Sequence, residues 1–177
     1  MKILGLLRHA KSDWDDIALR DFDRGLNERG KRGASLMGRH VIDHGIKWDM
    51  ILASPANRVQ RTLEASGIKA PIQYEQTAYL ADALVLTSLL RDLDTDPARV
   101  LLAAHNPGLQ ELILDLADAT DRGPLYDEVT EKYPTASFAV LELDIDKWSE
   151  CQSGCGRLVH FARPRDLDPE LGPERVD

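Results

Sequence analysis

The sequence predicts an α/β protein: a three-layer α/β/α sandwich with a mostly parallel central sheet and an antiparallel edge. Short apolar stretches typical of buried strands alternate along the chain with segments of helical periodicity. Two apolar stretches near the C-terminus follow each other with only a loop between them, which predicts the antiparallel edge. A chain of 177 residues has room for one core, so we expect residues 1–177 to form a single domain.

The predicted elements follow in regular order. Strands are expected at Lys2–Leu7, Met50–Ala53, Ile72–Tyr74, Val100–Ala104, Ser137–Leu143 and Arg157–Phe161. Helices are expected at 28–45 with Asn27 as N-cap, at Asn57–Ser66, near Ala83–Leu93, and after Val100–Ala104 with Asn106 as cap and Pro107 in the first turn. The tail from Pro164 onward is rich in proline and acidic residues, and we expect it to lie on the surface.

The composition excludes several classes of protein. The net charge of −8 argues against a nucleic-acid partner. However, residues 1–62 contain twelve Lys or Arg and only eight Asp or Glu. The N-terminal third of the chain is therefore locally basic and could bind a small anion. No apolar stretch approaches the ~20 residues that span a bilayer, and the N-terminal one is too short for a secretory signal, so a cytoplasmic location is expected. Cys151 and Cys155 are expected to be reduced loop thiols.

Three polar clusters directly follow predicted strands. They are Arg8–Ser12, Ser54–Arg58 and His105–Gly108. In open α/β sheets, ligands bind in the crevice outside the carboxyl ends of the strands. Parallel strands would therefore bring the three clusters to one edge of the sheet.

The side chains at this edge suit a tetrahedral dianion. Arg8 and Arg58 carry planar, permanently charged guanidinium groups that match phosphate oxygens. His9 and His105 carry imidazoles that change charge near neutral pH. The helices that follow Ser54 and Asn106 direct free backbone N–H groups to the same edge. No carboxylates cluster here as a magnesium site would need, so we expect neither a metal nor a cofactor.

These motifs resemble the histidine phosphatase superfamily, which includes the phosphoglycerate mutases. The resemblance rests on Arg8-His9-Ala10, the spacing of Ser54, Arg58 and Thr62, and the His105-Asn106-Pro107-Gly108 turn. The compact length and the alanine after His9 are most similar to the SixA-type phosphohistidine phosphatases. Two further stretches, Arg20–Gly30 and Phe161–Leu167, agree. The resemblance covers nearly the whole chain and implies a phosphoglycerate mutase-like fold.

The resemblance also implies a mechanism. His9 would attack phosphorus and become phosphohistidine, while Arg8, Arg58 and His105 hold the phosphoryl oxygens. We expect Lys11, Ser12 and Asn106 to bind the substrate beside them. Because His9 must be unprotonated and His105 would act better protonated, a pH optimum with two flanks is expected.

The proton donor for the leaving group is not evident from the sequence. Family members that cleave phosphate esters have an acid after the third strand, and Glu75 and Asp82 are the nearest candidates here. Asp82 fits a helix cap better. The missing acid favours phosphohistidine, because imidazole leaves more readily than an alkoxide.

Three functions therefore stay open. The leading one is a phosphatase acting on the phosphohistidine of a protein, such as a histidine phosphotransfer domain, or on another phosphoramidate. The others are a phosphomonoesterase acting on small molecules and a binding module for phosphate or phosphoproteins without turnover. The oligomeric state is open as well. His40 and His44 lie four apart on a predicted helix with no third ligand in sight, which indicates a solvated face.

Overall fold

The computed structural model describes residues 1–173 and contains a six-stranded sheet. The strands are β1 (Lys2–Arg8), β2 (Met50–Ala53), β3 (Ile72–Tyr74), β4 (Arg99–Ala104), β5 (Phe138–Leu143) and β6 (Gly156–Ala162). Their order across the sheet is β3-β2-β4-β1-β5-β6. The first four strands pair in parallel, whereas β5 runs antiparallel to both β1 and β6. The predicted fold class, with its antiparallel edge, is confirmed.

Six α-helices connect and cover these strands within residues 1–173. They are α1 (Glu28–Asp43), α2 (Asn57–Ser66), α3 (Ala83–Arg91), α4 (Gly108–Leu116), α5 (Pro124–Glu131) and α6 (Pro164–Leu167). Short 3-10 turns lie at Asp21–Asp23, Gln76–Ala78, Trp148–Glu150 and Pro169–Leu171. Helix α5 was not expected; it buries one residue, Val129, so its apolar pattern is weak.

Most predicted boundaries agree with the structure to within two residues. Asn27 caps α1 as expected, since its side chain accepts a hydrogen bond from Gly30 N, but the helix ends at Asp43. Helix α4 begins one residue later than a cap at Asn106 implies: Pro107 occupies the N-cap position. Asn106 still supports the first turn, because its Oδ1 accepts a hydrogen bond of 3.2 Å from Gln110 N.

The core has two layers, one on each face of the sheet. Successive residues of β1 belong to different layers: Leu4 and Leu6 face one side, and Leu7 faces the other. The Leu4 side packs against α3, α4 and α5 through Leu86, Leu90, Leu109, Leu112, Ile113 and Val129. The Leu7 side packs against α1 and α2 through Met37, Val41, Val59 and Leu63. Helices thus cover both faces of the sheet.

A close crossing of α1 and α2 fixes the position of α2. At Gly38 a Cβ atom would lie 2.0 Å from the Ser66 carbonyl oxygen, so only glycine allows this approach. The described part of the tail packs beside α1, where Arg32 forms ion pairs with Asp168 and Glu170. Cys151 is a buried free thiol and Cys155 a half-buried one. Among residues 1–173, none of the helices combines the length and apolar character required to cross a bilayer.

Candidate active site

The three polar clusters meet at the carboxyl ends of β1, β2 and β4. His9 N donates a hydrogen bond of 3.3 Å to Ala104 O, and Ser54 N donates one of 3.0 Å to Ala103 O. The rings of His9 and His105 lie 5.2 Å apart between centroids. Segments separated by nearly a hundred residues in the chain are therefore neighbours, as the parallel sheet predicts.

The two ring nitrogens of His9 have different partners. Nδ1 lies 2.8 Å from the Ala10 carbonyl oxygen, which can only accept, so Nδ1 carries the proton. Nε2 accepts a hydrogen bond of 3.3 Å from Arg58 Nε. This tautomer leaves the lone pair of Nε2 on the side of the arginine. The ring is buried and held from both ends.

The surroundings of His9 keep it neutral. Burial lowers the pKa of the ring to about 3, and the charges of His105, Arg58 and Arg8 add to this effect against the opposing Ala10 hydrogen bond. An imidazole with this pKa is unprotonated throughout the neutral range. His9 therefore satisfies the condition for a nucleophile.

Arg58, in the first turn of α2, is held by three hydrogen bonds. Besides Nε to His9, its Nη1 donates to Asp21 O at 2.8 Å and its Nη2 to Asp21 Oδ2 at 3.0 Å. The Tyr79 hydroxyl donates to the same carboxylate oxygen at 2.5 Å. A guanidinium has five N–H donors, so these three contacts leave two N–H groups of Arg58 for other partners.

Arg8 is oriented by a backbone carbonyl. Its Nη1 donates to Tyr133 O at 3.0 Å, and Asn106 Nδ2 donates to the same oxygen at 3.2 Å. The Tyr133 ring is fully buried and its hydroxyl donates to Leu6 O at 2.6 Å. Arg8 Nε is buried without a hydrogen-bond partner among the described residues. Burial, more than the repulsion from Arg58, lowers the pKa of Arg8.

His105 lies against Ser54, with 2.7 Å between its Nε2 and the serine hydroxyl. Burial lowers the pKa of His105 to about 4, and the Arg58 charge contributes in the same direction. The ring is therefore neutral near pH 7 as the protein stands. The expected protonated form requires the negative charge of a phosphoryl group beside it.

Thr62 joins the first two clusters. The Thr62 hydroxyl accepts a hydrogen bond of 2.9 Å from Ala10 N and donates one of 2.7 Å to Arg58 O. The loop that carries His9 is thereby attached to the helix that carries Arg58. The spacing of Arg58 and Thr62 places both residues on one side of α2.

Comparison with known proteins gives the family. Residues 4–84 match the family model for the histidine phosphatase superfamily, branch 1. The crystal structure of the SixA protein of Agrobacterium tumefaciens, a candidate phosphohistidine phosphatase, is 30% identical; the match covers 92% of this chain and 99% of that one with a TM-score of 0.74. This chain belongs to the histidine phosphatase superfamily. Within it, the chain belongs to the SixA-type branch.

Two further relatives match over almost their whole length. A SixA protein of Nakamurella multipartitia matches this histidine phosphatase with 26% identity and a TM-score of 0.82, covering 92% of this chain and 96% of that one. An uncharacterized protein of Mycobacterium tuberculosis is 33% identical over 161 residues, which are 90% of this chain and all of the relative. Family and structural neighbours together support a phosphatase.

Of the secondary candidates, neither Ser12 nor Asn106 forms a side-chain hydrogen bond with His9 within residues 1–173. Ser12 pairs through its backbone with Leu26, and Lys11 is an exposed residue whose carbonyl accepts from Asn27 N. Asn106 is occupied with Gln110 and Tyr133 O, so it holds the loop around Arg8.

The two candidate acids of this histidine phosphatase have other partners. Asp82 caps α3, since its side chain accepts from Val85 N at 2.9 Å, in agreement with the interpretation favoured above. Glu75 accepts a hydrogen bond of 2.8 Å from Gln73 on β3. Neither carboxylate forms a hydrogen bond or ion pair with the four central residues among the described contacts.

Sequence reasoning missed the role of Asp21 and Tyr79. Both are central to the placement of Arg58, although Asp21 appeared within a matching stretch. Burial alone would raise the pKa of Asp21, but hydrogen bonds from Tyr79 and Arg58 lower it, so the carboxylate is ionised at neutral pH. Asp21 pairs with an arginine that lies 37 residues further along the chain, and no periodic pattern in the sequence predicts such a contact.

His40 and His44 are not a plain solvated face. His160 of β6 places its Nε2 2.9 Å from His40 Nε2, and its ring centroid lies 4.3 Å from that of His44. Burial lowers the pKa of His160 to about 4, with His44 and His40 contributing. Even so, across residues 1–173 no set of three or more histidine, cysteine or acidic side chains converges as a metal site would require.

Proposed function

We propose that this histidine phosphatase hydrolyses phosphoramidates, with the phosphohistidine of a protein as its substrate, through a phosphorylated His9. The observation that carries the proposal is the Nε2 atom of His9, unprotonated and bonded to Arg58 Nε at 3.3 Å. The SixA relatives, which are described as candidate phosphohistidine phosphatases, support the choice of substrate.

In the first step, His9 Nε2 attacks phosphorus and the P–N bond of the substrate breaks. The electron pair of that bond stays on the substrate ring, which leaves as neutral imidazole because its other nitrogen carries a proton. Arg58 Nε moves its hydrogen bond from Nε2 to a phosphoryl oxygen, and the two remaining N–H donors of Arg58 bind further oxygens. The His9 ring gains positive charge as the new bond forms. The Ala10 carbonyl, which lies 2.8 Å from Nδ1, stabilises that charge because it accepts the Nδ1 proton in a hydrogen bond.

Arg8, Arg58 and His105 stabilise the negative charge of the phosphoryl group. Both arginines are fixed before the substrate arrives, Arg8 by Tyr133 O and Arg58 by Asp21. Preorganised donors require no reorganisation in the transition state, which is the main source of electrostatic acceleration. The dianion also raises the pKa of His105, so the ring donates to it. Water then hydrolyses the His9 adduct.

Glu75 and Asp82 have other partners, and the lack of a proton donor beside His9 among residues 1–173 favours P–N over P–O cleavage. Asp21 is the carboxylate next to Arg58, and its lowered pKa keeps it ionised. The Tyr79 proton is committed to Asp21 in a hydrogen bond. An alkoxide leaving group would therefore depart without an acid, whereas imidazole is a better leaving group. The partner that this implies is a phosphorylated protein, for example a histidine phosphotransfer domain, and a cytoplasmic location stays a prediction.

The test compares a phosphohistidine peptide with a phosphoserine peptide, because the serine alkoxide needs a proton donor to depart. We expect wild-type kcat/KM for the phosphohistidine peptide to exceed that for the phosphoserine peptide by about a hundredfold or more, and Glu75→Gln and Asp82→Asn to leave both values within about twofold. Faster cleavage of the phosphoserine ester, with a loss of that activity in Glu75→Gln, would establish the phosphomonoesterase instead.

A binding module without turnover is tested by rapid mixing. Wild-type protein should release a burst of the dephosphorylated product followed by steady turnover, and His9→Ala should show neither. Binding of a phosphohistidine peptide by the wild type without release of phosphate would contradict the proposed function.

A further inference from the structure

A cavity of about 280 Å³ lies beside the proposed active site and is lined by positive charge. Its walls come from the loop after β1, the first turns of α1, the loop before β5, the start of α6 and the tail near Gly172. Five basic residues line it: Arg8, Lys11, Arg29, Lys132 and Arg165. No Asp or Glu does so within residues 1–173.

This charge distribution is unusual for the molecule. The chain has 30 acidic and 22 basic residues, and many surface cations pair with a carboxylate, as Arg61 does with Glu64 and Arg157 with Glu142. Within residues 1–173, no carboxylate forms an ion pair with Arg8, Lys132 or Arg165. Like charges around a small volume repel each other, and an anion between them relieves that repulsion.

The cavity adjoins the backbone on both sides of His9. Arg8 and Ala10, the two neighbours of His9 in sequence, both line it. A third lining residue, Ala136, donates its N–H to His9 O at 2.9 Å. Arg8 therefore belongs both to the four central residues and to the wall of the cavity, so a molecule whose phosphoryl group Arg8 holds lies next to a second group of cations.

We propose that this cavity is a subsite for a second anionic group, a carboxylate or a phosphate, on the substrate whose phosphoryl group His9 attacks. Water occupies about 30 Å³ per molecule in the liquid, so the cavity has the volume of roughly nine waters, enough for one such group with its linking atoms. The inference rests on the proposed function, because it assigns the anion to the substrate and not to a separate molecule.

The experiment uses two phosphohistidine peptides, one with glutamate and one with glutamine on both sides of the phosphohistidine. The two differ in charge and hardly in shape. We expect wild-type kcat/KM to be about tenfold or more higher for the glutamate peptide. Lys132→Gln and Arg165→Gln should each reduce this preference by about threefold to fivefold, and the double variant should nearly abolish it.

Arg157→Gln is the matched control, since it removes the same charge from β6, where Arg157 pairs with Glu142 outside the cavity. It should leave the preference unchanged. An equal preference in wild type and the double variant would overturn the subsite. A second result would also overturn the subsite: free inorganic sulfate increases the hydrolysis rate while the two peptides are hydrolysed equally well. In that case the cavity binds an anion that belongs to a separate molecule.

Failure of the proposed function has a different signature. If neither peptide is hydrolysed, the phosphatase proposal fails, while the subsite can still be measured with the unphosphorylated peptides. Fluorescence anisotropy should then show tighter binding of the glutamate peptide by the wild type, and equal binding of both peptides by the double variant. Equal binding by the wild type would overturn the subsite.

Discussion

Arg58 Nε donates a hydrogen bond of 3.3 Å to His9 Nε2. The side chain that is proposed to hold the phosphoryl group is therefore in direct contact with the nitrogen that is proposed to attack phosphorus. Because Nδ1 is bonded to Ala10 O, the tautomer is fixed by the backbone and not by the arginine. The proposed nucleophile and the phosphate-binding group are therefore arranged before any substrate binds.

Asp21 determines where Arg58 points. Asp21→Asn removes the negative charge that Nη2 contacts, although the backbone carbonyl of residue 21 still accepts from Nη1. We expect kcat/KM for a phosphoramidate to fall about tenfold, mainly through kcat, with the free energy of unfolding changed by less than about 1 kcal/mol.

Tyr79→Phe is the milder companion variant, since it removes one hydrogen bond to the Asp21 carboxylate and leaves the ion pair intact. About a threefold loss of kcat/KM is expected. Wild-type kinetics in Asp21→Asn would show that Arg58 does not depend on this carboxylate.

Stability should decrease in mild acid. The pKa is about 3 for His9 and about 4 for His105, whereas unfolded histidine titrates near 6.5. Between pH 6.5 and about 4 the unfolded chain binds more protons than the folded one, so the free energy of unfolding falls as the pH falls. Each ring contributes up to about 2 kcal/mol between pH 7 and 5.

Urea denaturation at pH 7 and pH 5 measures this loss. In His9→Gln and His105→Gln the difference between the two pH values should shrink by up to about 2 kcal/mol each, because the titrating ring is gone. An unchanged difference in both variants would mean that the rings are not held neutral by the fold.

The hydroxyl of Thr62 connects the His9 loop to α2. Thr62→Val keeps the shape but leaves the buried Ala10 N–H without its acceptor, which costs about 1–3 kcal/mol and should lower kcat as well. Thr87→Val is the control, since the Thr87 hydroxyl donates to Ala83 O within α3. Among the described residues, this hydroxyl accepts no hydrogen bond from a loop N–H as the Thr62 hydroxyl does. Equal effects of the two substitutions on stability and activity would remove the special role of Thr62.

Gly38 sets the distance between α1 and α2. In Gly38→Ala the new methyl group would lie 2.0 Å from Ser66 O, so the helices must separate, at a cost of about 3 kcal/mol. Gly33→Ala on the same helix is the matched control: its methyl group meets nothing nearer than Ala136 Cβ at 3.9 Å, and alanine favours the helix by about 1 kcal/mol. Thermal unfolding of both variants distinguishes them; a stable Gly38→Ala would contradict the close crossing.

The central side chains could be predicted from the sequence because they depend on a simple rule. The strand preceding each polar cluster is a continuous apolar stretch, and parallel strands such as β1, β2 and β4 end at one edge. Placing Arg8, His9, Arg58 and His105 at one edge required only that these strands run parallel.

The contacts that orient these side chains could not be predicted in this way. Asp21 lies in a polar loop without periodicity, and Tyr79 precedes Leu80, which has a positive φ of 52°. Arg8 is oriented by the backbone carbonyl of Tyr133, and a pattern of side chains in the sequence does not predict a contact with a backbone group. The proximity of His160 to His40 depends on how β6 packs on α1, and sequence spacing does not contain that information.

The most direct test of the proposed mechanism is to trap the phosphorylated enzyme. Wild-type protein is mixed with a substrate labelled with ³²P in its phosphoryl group, quenched in alkali within milliseconds and analysed for bound label by peptide mapping. The label should be on His9, stable in alkali and lost in acid, and absent from His9→Ala. Label on another residue, or steady turnover by His9→Ala, would contradict the mechanism.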